Sequence, residues 1–550
     1  MSRFTDDLLR PSTTAGLVCG DPDRLQRLPW NEIHHAARRT AGGMARCGVV
    51  PNSAVAVLAG DPGEVAQVAQ ACWLRGASVT MLHPPTPRTN PEEWARATAR
   101  VLETIEARLL VIGDPYPSEL ANAIAGVAIT TVSELADAAA IEPVHPDEDS
   151  VALLQLTAGS TGAPKAVAIT HRNLHAGTAA LTDAFELRPD RDVVVMWLPL
   201  YHDMGMISLM TTMRYGVPAV FVTPLDFLRR PLLLLELIST YRGTCTTGPD
   251  FSYAILSRRL RIAPDGAYDL SSLRVVVNGA EPIDPEVVDE FTTQAARFGM
   301  GASAITPAYG MAEATLLVSL SRGRGMLTDT IDPMAVEHHA LAEPAPAAGR
   351  RLVRLGNPYA AMEVRIVDAA GTTLPARSVG EIRIRGAAVA EYYLTSEGRV
   401  PARDDDGWLA TGDLGYRTED GDLVVCGRAK EIIIIAGRNI YPTDIERICG
   451  AVPGVRAGNV VAVRTGTATG GEGFVVIAES ARAGSEPVDA ALIAELRADI
   501  ATAIQHRLGV TPRWVEVVPP GTLPKTSSGK LRRTAAASLL GTNPALTAGR

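Results

Sequence analysis

Apolar positions along the first 150 residues switch repeatedly between a helical and a strand-like period. Asn31 to Cys47 spaces its apolar residues three and four apart, as an amphipathic helix requires. Ser53 to Leu58 is an apolar run of strand length, Glu64 to Leu74 reads as a helix, and Ala77 to Leu82 as a strand. Helices alternating with buried strands predict a mostly parallel sheet with helices on its faces. Val193 to Leu198, Ala219 to Val222 and Leu273 to Val277 continue the rhythm as buried strands. After about Gly356 the pattern changes. Met362 to Val367 and Gly380 to Ile384 are short alternating strands separated by turn residues, which predicts a small antiparallel barrel or sheet. A strand at Ile432 to Ile435 then opens an α+β stretch that runs to the end. The expected class is α/β, with a large N-terminal part of mixed sheets covered by helices and a small α+β C-terminal part.

Composition narrows the possibilities. With 550 residues, 46% hydrophobic and 21% charged, the chain is globular and large enough for several domains. No apolar run approaches the ~20 residues that cross a bilayer. The N-terminus carries acidic residues where a signal peptide needs basic ones, so a cytoplasmic protein without a membrane span is expected. A net charge of −9 argues against a nucleic-acid partner. From Glu431 on, 13 basic and 10 acidic residues give +3; before it, 39 and 51 give −12. The six cysteines form no C-x-x-C pair and read as free core thiols.

The basic residues are more informative than their total. Four of the 52 are lysine (Lys165, Lys430, Lys525 and Lys530), so surface charge is supplied by arginine. A retained lysine is then a candidate for work that suits a compact, rotatable point charge. Lys165 closes the string LTAGSTGAPKAV at 156–167, where Thr157, Gly159, Ser160, Thr161 and Gly162 follow a buried apolar stretch. A loop this rich in hydroxyls and free backbone N–H groups can wrap a polyphosphate, with the lysine neutralising charge. It is neither the P-loop pattern G-x-x-x-x-G-K-[ST] nor, with Ala158 at the first glycine, the nucleophile elbow G-x-S-x-G.

This string resembles the phosphate-binding signature of the adenylate-forming superfamily, and the resemblance continues in order along nearly the whole chain. WLPLYHDMG stands at 197–205, NGAEP at 278–282, AYGMAEA at 308–314, TGDLGY at 411–416, GRAKEIII at 427–434 and LPKTSSGKLRR at 523–533. The resemblance implies attack of a carboxylate on the α-phosphorus of ATP, with acyl-adenylate formed and pyrophosphate expelled. Attacker and target are both anionic, so such a site must supply positive charge and in-line positioning.

By resemblance, Thr157, Ser160, Thr161, Gly162 and Lys165 hold the β- and γ-phosphates, and Glu313 holds Mg²⁺. Gly279, Ala280, Glu281 and Tyr309, with Gly310, Met311 and Ala312, enclose the nucleotide, while Asp413 and Arg428 take the ribose. Lys530 stabilises the oxygens at the α-phosphorus and the incoming carboxylate. His202 lies against the acyl carboxylate, with Trp197, Met206, Ile207, Pro249 and Phe251 as the acyl pocket. Lys430 occupies the hinge position. The implied domains are 1–427, with a β subdomain at about 356–427, a hinge at 428–431, and a mobile C-terminal domain at 432–550. Two departures stand out: Ala158 where many relatives carry Ser, and Ala166 where many carry Gly.

Finer strings select a branch. HPPTPR at 83–88, LYHDMGMI at 200–207, TGPDFSYAI at 247–255 and AGRNIYPTDIE at 436–446 resemble fatty acyl-AMP ligases. About 43 residues separate Glu313 from the turn at Leu355–Pro358, where such ligases carry an insertion that discourages use of free CoA. The implied substrate is a fatty acid, and the implied acceptor is the phosphopantetheine thiol of an acyl carrier protein or polyketide-synthase carrier domain. Carriers are generally acidic, and the +3 C-terminal part with Arg532 and Arg533 is compatible with docking one. Two alternatives remain open at this point: a fatty acyl-CoA synthetase, and a catalytically silent adenylate-binding scaffold.

Overall fold

A computed structural model describes residues 2–86, 89–124, 126–157, 164–345, 349–466, 472–481, 490–525, 531–537 and 539–540. The chain forms two compact units. The first comprises Met1–Leu327, Val353–Val364 and Arg383–Ala410; the second comprises Thr328–Leu352, Arg365–Ile382 and Thr411–Arg550.

Two large sheets build the first unit. The nine-stranded sheet runs in the order Asn357–Pro358, Leu316–Leu320, Ile305–Met311, Val275–Asn278, Cys245–Gly248, Val194–Met196, Ala219–Phe221, Gly16–Cys19 and Gln26–Pro29. Its six inner strands from Ile305–Met311 to Gly16–Cys19 are parallel, and antiparallel strands close both edges. Inner strands such as VVVN at 275–278 and AVF at 219–221 are buried at every position, as a parallel sheet covered on both faces demands. The eight-stranded sheet runs Gly398–Pro401, Tyr392–Thr395, Lys165–Thr170, Val151–Thr157, Ser78–Met81, Ala54–Leu58, Ala107–Ile112 and Ala128–Thr131. It is parallel from Val151–Thr157 onward and antiparallel before it.

Local sequence accounts for the helices that cover these sheets. Trp30–Arg46 buries Trp30, Ile33, Ala37, Thr40, Ala41 and Met44, a stripe at three- and four-residue spacing. Gly42 and Gly43 on that helix admit a close neighbour: a Cβ at Gly42 would lie 2.0 Å from the Ala139 carbonyl oxygen, and one at Gly43 2.4 Å from that of Leu135. Pro62–Leu74 begins two residues before the expected Glu64, because Asp61 caps it by accepting from the Glu64 N–H and Pro62 fills the first turn.

The second unit is α+β. Its three-stranded sheet joins Val455–Gly466, Glu472–Ser480 and Trp514–Val518, with helices Pro442–Gly450 and Ala490–Leu508 packed on one core. Residues after Gly356 supply a four-stranded sheet of Met362–Val367, Gly380–Gly386, Leu409–Arg417 and Leu423–Arg428, rather than a closed barrel. All six cysteines are free thiols. Among the described residues, no helix is long and apolar enough to cross a membrane.

Candidate active site

The candidate nucleotide residues gather at the carboxyl ends of neighbouring parallel strands, the usual location of ligands in open α/β sheets. Val275–Asn278 and Ile305–Met311 pair in parallel with Asn278 opposite Pro307, so Gly279–Glu281 and Ala308–Tyr309 leave the sheet side by side. A Cβ at Gly279 would stand 2.7 Å from the Ala308 carbonyl oxygen, so only glycine permits this approach. Ala280 takes φ +68°, a left-handed turn that aims the chain away from the sheet. The Tyr309/Gly310 register shift turns the next strand end in the same way, and a Cβ at Gly310 would meet the Leu316 oxygen at 1.8 Å. Met311 and Ala312 follow directly and lead into the short turn Ala312–Ala314, which carries Glu313.

Beside these strand ends lies a buried carboxyl that motif reasoning did not single out. Asn278 Nδ2 donates to Asp250 Oδ1 at 2.8 Å, and Glu281 Oε1 accepts from the Phe251 N–H at 2.8 Å. Burial pushes the Asp250 carboxyl up to about 7. In the unfolded chain it ionises near 4, so between about pH 4 and pH 7 the folded state holds a proton the unfolded state has lost. Stability therefore falls as pH rises through that window. Asp250→Asn has no such group. Its stability relative to wild type should rise by about 2 kcal/mol from pH 5 to pH 8. Urea midpoints at the two pH values test this, and an unchanged difference would refute the buried, protonated state.

The phosphate and metal candidates meet elsewhere on the same unit. Thr157 and Lys165 face each other across the hairpin of Val151–Thr157 and Lys165–Thr170. The loop that joins them, with Ser160, Thr161 and Gly162, lies outside the described residues. Lys165 Nζ sits 3.2 Å from the ring centroid of Tyr393, and the Tyr393 hydroxyl donates to Glu313 Oε1 at 3.1 Å. Burial and the facing carboxylate hold the Tyr393 hydroxyl well above its ordinary value, so it stays a donor. No motif pointed to Tyr393, because its neighbours come from strands and turns far away in sequence.

His202 precedes the helix Asp203–Tyr215, and its Nδ1 lies 2.5 Å from Asp203 Oδ1, which orients the ring. Gln155 Nε2 donates to the Tyr201 carbonyl at 2.9 Å and fixes this turn against the strand that carries Thr157. Trp197 stacks on Phe227 at 3.8 Å and meets Phe251 edge-on at 6.1 Å. Trp197, Met206, Ile207 and Pro249 are buried, and Phe251 is half-buried. The proposed acyl-pocket residues thus belong to the packed interior beside the strand ends.

Within the second unit, Asp413 and Arg428 are cross-strand partners, with Arg428 Nε 3.0 Å from Asp413 Oδ1. The Asp413 side chain is 7% exposed and that of Arg428 61%, so the carboxylate is shielded while the guanidinium faces solvent. Lys430 is exposed in the short turn Ala429–Glu431. Lys530 lies outside the described residues. Arg533 is committed internally: it pairs with Glu431 at 2.5 Å and with Glu446 at 2.7 Å. Arg532, the other member of the arginine pair, is exposed.

Residues 10–394 match the family model described as AMP-binding enzyme, and residues 437–536 match the AMP-binding enzyme C-terminal domain. The chain belongs to the AMP-binding enzyme family. This family member is 46% identical over 547 residues to a Mycobacterium tuberculosis protein named as a ligase, Rv1013, covering 98% of this chain and 100% of that one. It is 34% identical over 407 residues to the medium-chain fatty acid–acyl-carrier-protein ligase JamA of Moorena producens, covering 71% and 67% of the two chains. A solved structure from a study of fatty acyl-adenylate ligases of E. coli and L. pneumophila matches with a TM-score of 0.88 at 30% identity, over 98% of both chains. The protein is an adenylate-forming ligase that uses ATP.

Proposed function

We propose that this AMP-binding enzyme activates a fatty acid with ATP and passes the acyl group from its adenylate to the phosphopantetheine thiol of an acyl carrier protein or polyketide-synthase carrier domain, in the cytoplasm. The observation that carries the choice of acceptor is the state of the segment after Glu313. Thr328–Ile331 pairs with Arg350–Val353 in a small sheet, with the helix Pro333–His339 between them. Within the second unit this segment is pinned to residues that follow the hinge position. Arg438 Nη2 lies 2.6 Å from Glu337 Oε2, and Arg350 Nη1 lies 2.7 Å from Asp444 Oδ2. Both pairs are largely buried, so the insertion is a built element and not a slack loop. A built element at this position, held to Arg438 and Asp444 of the same unit, supports the reading in which free CoA is disfavoured.

The residues present fit the nucleotide and its metal. Gly279 and Gly310 let the strand ends assigned to the base come close together, and Glu313 stands in the turn that follows one of them. A lone carboxylate suits magnesium, which keeps waters and takes further ligands from phosphate oxygens. In this reading Glu313 holds that cation, which neutralises phosphate charge. Thr157, Ser160, Thr161, Gly162 and Lys165 hold the β- and γ-phosphates, and Asp413 with Arg428 takes the ribose. His202 orients the carboxylate, Lys530 stabilises the charge at the α-phosphorus, and Lys430 is the pivot between a 1–427 body and a 432–550 domain.

Incubation with ATP, Mg²⁺ and a series of fatty acids, with free CoA or a holo carrier protein, tests this reading. Acyl-AMP should accumulate with CoA present, and the carrier should be acylated. Acyl-CoA formed at a comparable rate would make the protein a fatty acyl-CoA synthetase. Absence of adenylate from any fatty acid would overturn the reading altogether.

A further inference from the structure

Tyr393 stands between two residues assigned to different parts of the chemistry. Its strand, Tyr392–Thr395, pairs antiparallel with Lys165–Thr170, with Tyr393 opposite Val167 and Thr395 opposite Lys165. Tyr393 and Lys165 are therefore diagonal neighbours on one face, within reach for long side chains. That register puts the ammonium over the ring at 3.2 Å, a cation–π contact. The other end of the same ring reaches the second sheet, where its hydroxyl meets Glu313 at 3.1 Å. The approach to Tyr393 is tied down on both sides. Ala390 N–H donates to the Glu313 carbonyl at 2.8 Å, Thr315 Oγ1 donates to the Ala388 carbonyl at 2.6 Å, and Asn173 Nδ2 donates to the Ala387 carbonyl at 2.8 Å. One fixed aromatic side chain thus joins the lysine that closes the phosphate loop to the carboxylate assigned to the metal.

We propose that Tyr393 is a positioning residue for adenylation: its ring holds Lys165 beside the phosphate loop, and its hydroxyl orients the Glu313 carboxylate for the cation. This rests on the reading of Lys165 and Glu313 as phosphate and magnesium groups. A lysine already held loses less side-chain freedom when phosphate arrives. A carboxylate whose one oxygen is engaged presents the other in a defined direction, as outer-shell donors do for metal-binding groups generally.

The two halves of the proposal separate by substitution. Binding of α,β-methylene ATP, which resists cleavage between the α- and β-phosphates, is followed by calorimetry across a range of Mg²⁺ concentrations. Tyr393→Phe keeps the ring and loses the hydroxyl. It should raise the half-saturating Mg²⁺ concentration about tenfold and leave affinity at saturating Mg²⁺ within about twofold of wild type. Tyr393→Leu loses the ring as well, and should weaken the analogue at saturating Mg²⁺ by a further factor of about five. An unchanged Mg²⁺ response in Tyr393→Phe overturns the role of the hydroxyl. Equal or tighter binding by Tyr393→Leu than by Tyr393→Phe overturns the role of the ring. Glu313→Gln is the control for the underlying reading: if it leaves the Mg²⁺ response unaltered, the assignment of Glu313 fails and this proposal falls with it, whereas a shifted response isolates any failure to Tyr393.

Discussion

Lys530→Ala should lower pyrophosphate release from ATP and a fatty acid by about 10³-fold while leaving the melting temperature within about 2 °C of wild type. The reason is electrostatic. A carboxylate attacks a phosphorus already surrounded by negative oxygens, and charge on those oxygens shifts as the new bond forms and pyrophosphate leaves. A cation placed at that point acts mainly on the transition state, so its loss appears in kcat more than in nucleotide affinity. The chain's own usage points to this position. Arginine supplies 48 of 52 basic residues, yet a lysine is kept at 530 in the string TSSGK. Lys530→Arg should therefore rescue less than about a tenth of the lost rate, since a planar fork does not replace a compact ammonium. Pyrophosphate release and analogue binding, measured on the same preparations, check both statements. A Lys530→Ala enzyme that keeps more than about a tenth of wild-type turnover would remove Lys530 from the chemistry.

What could be read without coordinates was set by local physics. The strand Met362–Val367 coincides end to end with its expectation, and Val275–Asn278 and Ala219–Phe221 lie within a residue or two of theirs, because buried β-branched runs bounded by turn residues have few other uses. The close approach of two strand ends was legible for a related reason. Gly279 and Gly310 mark backbone approaches that a side chain would block, and such positions write themselves into short strings. Tyr393 was not legible. Its meaning depends on an antiparallel register with Lys165–Thr170, more than two hundred residues away, and on a turn from the other sheet. Asp250 was hidden differently: its neighbours in the chain suggest an acyl pocket, and only its burial in the fold shows why the carboxyl is pushed up, against the pull of the hydrogen bond from Asn278. The segment after Glu313 was visible as a long stretch, but length alone does not distinguish a slack loop from a small sheet and helix bound by buried ion pairs.

That distinction has a measurable consequence at Arg350. Its guanidinium faces Asp444 at 2.7 Å and lies 5.1 Å from the Tyr441 ring, with both charged side chains 9% exposed. Burial pushes the Asp444 carboxyl up, and Arg350 pulls it back down. Arg350→Ala removes that compensation and leaves a buried carboxylate with Arg447 at 3.5 Å as its remaining ion-pair partner among the described residues. Loss of one member of a buried pair costs about 3 kcal/mol. The double substitution Arg350→Met/Asp444→Leu leaves no stranded charge and should recover most of that cost, whereas two independent surface effects would add. The cost of Arg350→Ala should also grow with pH, because the stranded carboxyl escapes its penalty only by taking up a proton. Function should follow the anchor and not the stability. If the pinned segment is what disfavours free CoA, the stable double variant as well as Arg350→Ala should form acyl-CoA where wild type forms acyl-AMP alone. Denaturant melts at pH 6 and pH 8, run beside the CoA assay, separate the two. A double variant that is stable, loosened at 328–352 by limited proteolysis and still inert toward CoA would show that the anchor sets stability and leaves the choice of acceptor to other residues.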